Sequence, residues 1–329
     1  MTEAQARAVP IARGDALLAL ARWYDFADWR RLMDYAEGAA QPGSPQARFE
    51  AAVDAVVGGD LATLSTLLRE DPNLVRARSS RVTHFDPPVH GAMLLHYLAA
   101  NGVEGYRQRS PANAPEVARM LLDAGADPNA ACRLYGGQCT TMALLVSSTP
   151  PAKAGVQVPL VHTLIDYGAS MEPAGTGHWT SPLATAVVFN FMDAAQALVD
   201  RGARIETLAV AAGLGRTADV VRMLPSADAA DRHRALALAA SQGHAGIVAL
   251  LIDHGEDPNR YNPPGAHAHS APLHQAIAAD RLEVVKVLVA KGARLDLKDT
   301  IYSGTPLGWA EYCNKPKIAE YLRQQGAAR

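Results

Sequence analysis

Residues Leu251 to Asn259 read LIDHGEDPN, a helix ending followed by a tight polar turn. Just upstream, in IVALLIDHG, Ile247, Val248, Leu250 and Leu251 fall at spacings that place apolar groups on one helical face. Gly255 stands where that helix must stop in a left-handed turn, which glycine adopts at little cost. The phrase returns as LLDAGADPN at Leu121, LIDYGASME at Leu164, LVDRGARIE at Leu198, LVAKGARLD at Leu288 and LRQQGAA at Leu322. Its glycines, Gly125, Gly168, Gly202, Gly255, Gly292 and Gly326, lie 43, 34, 53, 37 and 34 residues apart. A helical phrase recurring near one period, stretched in places by insertions, marks a repeat array. Such arrays stack small units into extended concave surfaces.

A second phrase precedes most copies of the first. It reads APLHQAIAAD at Ala271, SPLATAVVFN at Ser181, TPLGWAEYCN at Thr305, LLHYLAANG at Leu94 and ALALAASQGH at Ala235. Thr305 followed by Pro306 is a helix start, a hydroxyl that caps free amides and then a ring suited to the first turn. The paired phrases resemble the ankyrin repeat. Units begin near Phe49, Leu94, Thr141, Ser181, Leu208, Leu236, Ala271 and Thr305, and the resemblance covers about residues 46 to 328. It implies an all-α chain: an ankyrin-repeat α-solenoid of about eight helix-turn-helix units with protruding loops and an N-terminal helical cap. The unit at Leu208 departs from the pattern, ending in MLPSADAADR without Gly-Ala, so its second helix is expected to be short or kinked and Pro225 is a candidate break. The Phe49 unit lacks Thr-Pro-Leu-His and suits an end position.

Residues 1–45 read as a separate helical segment and linker, with the array over 46–329. The segment holds Trp23, Tyr24, Phe26 and Trp29 in amphipathic helices, a lid over the first repeat or a docking helix. It ends in Gln41-Pro42-Gly43-Ser44-Pro45. The net charge is −2 and no lysine or arginine run occurs, so the electrostatic footprint of nucleic-acid binding is missing. Arg76, Arg78, Arg81, Arg107 and Arg109 are expected in solvated loops. Three cysteines, Cys132, Cys139 and Cys313, have no zinc-type spacing and fit a reducing compartment. No stretch of the sequence has the length of an apolar membrane span, and a cytoplasmic protein without a membrane partner is expected.

Catalytic motifs are missing as sequence patterns. Gly213-Leu214-Gly215-Arg216-Thr217-Ala218 fits a loose dinucleotide fingerprint, but no strand precedes it and it falls at an inter-helix turn. His96 and His274 take the repeat's Leu-His position and His244 its Gly-His position, where imidazoles bond backbone between units. His84 and His90 flank Asp86, and His267 and His269 form His-x-His; His-x-His could supply two metal ligands if a carboxylate or third imidazole came near, though exposed, unpartnered loop histidines are the simpler reading. No metal or cofactor is expected.

Long insertions set this chain apart. Two lie between paired helices, VEGYRQRSPANAP at Val103 and TPPAKAGVQVP at Thr149. Loops between units display Tyr135, His178, Trp179, Tyr261, His267, His269 and Tyr302, and Tyr97, Thr185, Gln275 and Trp309 follow the Leu-His position, which in ankyrin repeats tends to face the concave side. Rigid aromatic groups on successive fingers suit non-catalytic recognition of a protein or peptide. Two other readings stand beside it: an enzyme with His96, Tyr97 and His178 as an acid-base set lidded by the insertions, and a self-assembling scaffold. A small-molecule ligand in the concave groove is a further expectation.

Overall fold

The computed structural model describes residues 12–172 and 181–328. Its secondary structure is helical apart from one short hairpin, and the chain divides into two compact units. The first comprises residues 1–185 with 196–201, the second 186–195 with 202–329.

In the first unit, α1 (Arg13–Trp23) and α2 (Trp29–Ala40) precede a helix pair, α3 (Pro45–Gly58) and α4 (Leu61–Glu70). Asp28 caps α2 by accepting from the Arg31 amide at 2.9 Å, and Ser44 caps α3 by accepting from Ala47 at 3.0 Å. Ser44 also donates to the Gly38 carbonyl at 2.7 Å, so the Pro-Gly linker is a tight corner. Ala21, Phe26, Leu32 and Tyr35 form a small core between α1 and α2. Two further pairs follow: α5 (Leu94–Tyr97) with α6 (Ala114–Asp123), then α7 (Thr141–Leu145) with α9 (Gln157–Asp166). The insertion at Thr149 contains a one-turn helix, α8 (Thr149–Lys153).

Between these pairs the finger loop is β1 (Ala131–Leu134) against β2 (Gly137–Thr140). It is an antiparallel hairpin, the one departure from an all-helical expectation among the described residues. Its turn is Tyr135-Gly136, both at positive φ (53° and 74°), the geometry that matches the twist of a two-residue hairpin.

A fourth pair, α10 (Pro182–Val188) and α11 (Met192–Asp200), carries the boundary between the units. The second unit continues with α12 (Leu208–Gly213) and α13 (Thr217–Met223), α14 (Ala229–Gln242) and α15 (Ala245–Asp253), α16 (Pro272–Ala278) and α17 (Leu282–Ala290), then α18 (Pro306–Tyr312) and α19 (Pro316–Gln324). Among the described residues, eight pairs therefore stand where the sequence phrases place them. As expected, α13 is short, running into a 3-10 turn at Leu224–Ser226. Pro225 lies inside the second unit, and the division between units falls elsewhere.

Local chemistry explains the recurring phrases. Gly255 has φ 98°, and the equivalent glycines are all left-handed. The Asp-Pro-Asn that follows does two things. Asp257 accepts from the Asn259 amide at 2.8 Å, fixing the turn, while Asn259 donates to the Gly292 carbonyl at 3.1 Å and accepts from the Arg294 amide at 2.7 Å. Asn129 repeats this with Gly168 (2.9 Å) and Ser170 (2.7 Å). Each asparagine thus clamps the glycine turn of the following pair. Ile247, Val248 and Leu251 are buried as the helical pattern requires; Leu250 is half-buried, beside the shortened α13, with Val221, Leu224 and Pro225.

Candidate functional site: finger loops of the second unit

The loops ahead of α16 and α18 are built as neighbouring fingers. Asn262 donates through its backbone to the Ser270 carbonyl at 2.8 Å and Asp299 to Gly304 at 3.0 Å, closing each loop. The Thr300 amide then donates to the His269 carbonyl at 2.8 Å, and the Tyr261 hydroxyl to the Lys298 carbonyl at 2.6 Å, tying one finger to the next. Asp299 organises the second finger. Its carboxylate accepts from the amides of Tyr302 (2.6 Å), Gly304 (2.8 Å) and Ile301 (3.0 Å) and from the Trp309 indole (2.9 Å). Burial alone would raise this carboxyl, but those donors outweigh it and hold the group down to about 2, so it stays ionised.

One consequence is that Ile301 and Tyr302 are pinned outward, at 62% and 75% exposure. Behind them the His269 ring lies 6.3 Å from Tyr302 and 6.0 Å from Trp309, with His267 6.1 Å from His269 and His274 5.2 Å from Trp309. Five residues singled out from the sequence, Tyr261, His267, His269, Tyr302 and Trp309, are therefore brought to one pair of fingers. Beside them, Phe189, Leu238, Gln242, Gln275 and His267 line a groove of about 280 Å³ beside α14 and α16. Trp309 is half-buried behind the patch, and Ile301 is an exposed member that sequence reasoning missed, since a lone isoleucine in a loop carries no pattern.

Tyr135 belongs to the first unit. It is 66% exposed at the hairpin turn and donates its hydroxyl to Asn101 at 2.6 Å. His178 and Trp179 lie outside the described residues.

Comparison with known proteins agrees with this helix-pair architecture. The family model for ankyrin repeats (3 copies) matches residues 208–299. Human cyclin-dependent kinase inhibitor 2A is 30% identical over 156 residues, which cover 47% of this chain and 81% of that protein. The chain belongs to the ankyrin-repeat family. Human cyclin-dependent kinase 4 inhibitor B is 35% identical over 81 residues (25% of this chain, 56% of that protein), and the Drosophila melanogaster NF-kappa-B inhibitor cactus is 31% identical over 98 residues (30% and 19%).

The ankyrin histidines are structural. His96 accepts from the Met93 amide at 3.2 Å and lies 3.1 Å from the Ala130 carbonyl; His274 accepts from Ala271 at 3.3 Å and lies 3.3 Å from the Gly304 carbonyl. His244 Nε2 is 3.0 Å from the Gly213 carbonyl, across the Gly213 to Ala218 turn, which joins two helices. Burial pushes the His96 imidazole down to about 4, so it is neutral. Tyr97 corrects the sequence reading: it is completely buried, packs edge-on against Phe49 at 6.3 Å, and donates to Glu104 at 3.3 Å. Burial, reinforced by Glu104, raises its hydroxyl well above the ordinary range. Neither His96 nor Tyr97 is presented at a surface, and Thr185 and Gln275, at the same repeat position, are also buried. At this position Tyr97 packs against Phe49 of the preceding pair, whereas Gln275 edges the groove and Trp309 backs the finger patch.

A second correction concerns the loop charges. Arg76, Arg78 and Arg109 are exposed, but Arg81 and Arg107 are only 5% and 4% exposed. Arg81 donates to Glu50 (2.9 Å) and Tyr106 (2.8 Å), approaches Glu104 at 3.3 Å, and sits 4.9 Å from the ring centres of both Phe26 and Tyr35. Arg107 donates to Glu50 (2.7 Å) and Asp54 (2.8 Å). Burial opposes ionisation of Glu50, yet Arg81 and Arg107 bring its carboxyl down to about 2. Glu104 is likewise lowered, burial being outweighed by the approach of His90 and the charge of Arg81. His90, read from the sequence as an exposed loop residue, is buried with Nε2 3.5 Å from Glu104. This network ties α2 and the loops around residues 81 and 107 to α3. Sequence reasoning missed it because its members are far apart in the chain.

Among the described residues, no group of three or more His, Cys, Asp or Glu side chains is disposed to hold a metal, and no helix is long and apolar enough to cross a membrane.

Proposed function

We propose that the chain is a protein-recognition module whose partner is held against the finger loops, with Tyr261, His267, His269 and Tyr302 as contact residues, Trp309 as the support behind them, and Tyr135 as a further contact on the hairpin finger. The observation that carries this reading is the outward pinning of Ile301 and Tyr302 by the buried Asp299 carboxylate. Large apolar groups fixed in water cost free energy unless something covers them, and a preformed loop loses little entropy when it is covered. The relatives support the same kind of partner, since their names make them inhibitors of a kinase or of NF-kappa-B. Residues 46–329 would form the recognition array and residues 1–45 its helical cap.

The test is affinity capture with the full chain beside a Tyr302→Ala/Ile301→Ser variant. Proteins recovered with the native chain should be lost with the variant while the thermal melt moves little, because both side chains are solvent-exposed. Equal recovery on the two chains would refute the placement.

A further inference from the structure

The hairpin finger holds two of the three cysteines in an arrangement the sequence spacing does not suggest. Cys132 on β1 is directly opposite Cys139 on β2. Opposed residues of an antiparallel pair project to the same face, with Cα atoms about 4.5–5.5 Å apart, and a disulfide accepts about 4.4–6.8 Å. Both thiols also lean across the hairpin: Cys132 Sγ lies 3.5 Å from the Cys139 carbonyl and Cys139 Sγ 3.4 Å from the Leu134 carbonyl. Arg133 and Gln138 face solvent on the other side. Cys132 is fully buried, whereas Cys139 is half-exposed and open to a small reagent.

We propose that Cys132 and Cys139 are a reversible oxidation site that closes to an intrachain disulfide on reaction with a hydroperoxide. The Cys139 sulfur, after losing its proton to solvent, attacks the peroxide; an S–O bond forms, the O–O bond breaks, and water or an alcohol leaves. Cys132 sulfur then attacks the resulting sulfenic acid; the S–S bond forms, the S–O bond breaks, and the hydroxyl leaves as water with the Cys132 proton. Two electrons pass from the thiols to the peroxide, and two thiols give back the starting hairpin on reduction. At rest the pair is neutral: burial, helped by the neighbouring sulfur, pushes Cys132 up to about 12, and burial also raises Cys139. The link would tie the strands behind the turn that carries Tyr135, so an oxidant would restrain that finger.

The experiment uses the full chain with Cys313→Ser, so that two thiols remain, treated with hydrogen peroxide. The expected result is loss of both titratable thiols, a mass lower by two hydrogen atoms, a peptide joining Cys132 to Cys139, and full recovery with dithiothreitol. Sulfinic acid on Cys139 with Cys132 still free, or a link between two chains, would overturn the proposal. The same peptide map on the unsubstituted chain guards against misfolding of the variant: a Cys132 to Cys139 peptide with Cys313 free supports the assignment, and a link involving Cys313 refutes it.

Discussion

Replacing Arg81 by methionine removes the cation that two acidic side chains share. Glu50 and Glu104 side chains are 14% and 1% exposed, and Arg81 itself 6%, so solvent cannot take over the lost interaction. Removing one partner from a buried ion pair costs about 3–5 kcal/mol, and here it leaves Glu104 with only His90 at 3.5 Å and Arg107 at 4.0 Å, while Glu50 keeps Arg107. Loss of the guanidinium from its place beside the Phe26 and Tyr35 rings adds about 0.5–2 kcal/mol. Against a typical stability of about 5–15 kcal/mol, this is enough to open the region locally. Hydrogen exchange read by mass spectrometry is the assay. At about 1.4 kcal/mol per tenfold, the combined loss of about 3.5–7 kcal/mol should lower protection in α2 and in residues 79–91 and 103–109 by roughly 300-fold to 100,000-fold. Helices α14 to α19 should keep theirs. Arg81→Met with Glu104→Met should regain much of the loss, since a hydrophobic replacement of both partners is often neutral. A single-variant loss below about 1 kcal/mol, or a double variant as damaged as the single, would refute the reasoning.

Acid should weaken the first unit in two windows. His96 is held neutral with its pKa down at about 4, so its contribution is whole above about 6.5 and is lost as pH falls from there toward 4; His96→Ala should flatten that part of a stability-versus-pH curve. The Glu50 contribution, present above its ordinary 4.5, should disappear as pH falls toward 2, and Glu50→Gln should remove that slope. Gly213→Ala should cost about 1–3 kcal/mol in urea unfolding because the new Cβ would meet Val187 at 2.4 Å, while Gly255→Ala should cost about 1–2 kcal/mol from its φ of 98° alone, its surroundings being open. Trp309→Phe leaves Asp299 without one of its four donors and should lower stability by about 1.5–3 kcal/mol, with faster exchange at the Ile301 and Tyr302 amides.

The helix pairs were legible because their signals are local. Gly255 and its equivalents need a left-handed φ, Thr305 accepts from the Gly308 amide at 3.2 Å, and Pro306 opens α18, all within one turn of chain. The finger residues were half legible. Aromatic and histidine composition pointed to Tyr261, His267, His269, Tyr302 and Trp309, but not to Asp299, whose aspartate among ordinary loop residues has no pattern until its four donors converge. Tyr97 failed for the opposite reason. Its repeat position suggested an outward residue, and only the packing of Phe49 and the insertion carrying Glu104 enclose it.

Sequence alone determined the number and order of the repeats, since each helix end depends on residues three or four places away. Tertiary structure alone decided which side chains are wet and which are charged in the dry. Arg81 and Arg107 read as loop residues until Glu50, from a helix far back in the chain, meets both of them. Hydrogen bonds along a helix are set by near neighbours, whereas desolvation and ion pairing depend on whatever the fold brings close, and that closeness is not written in any local spacing.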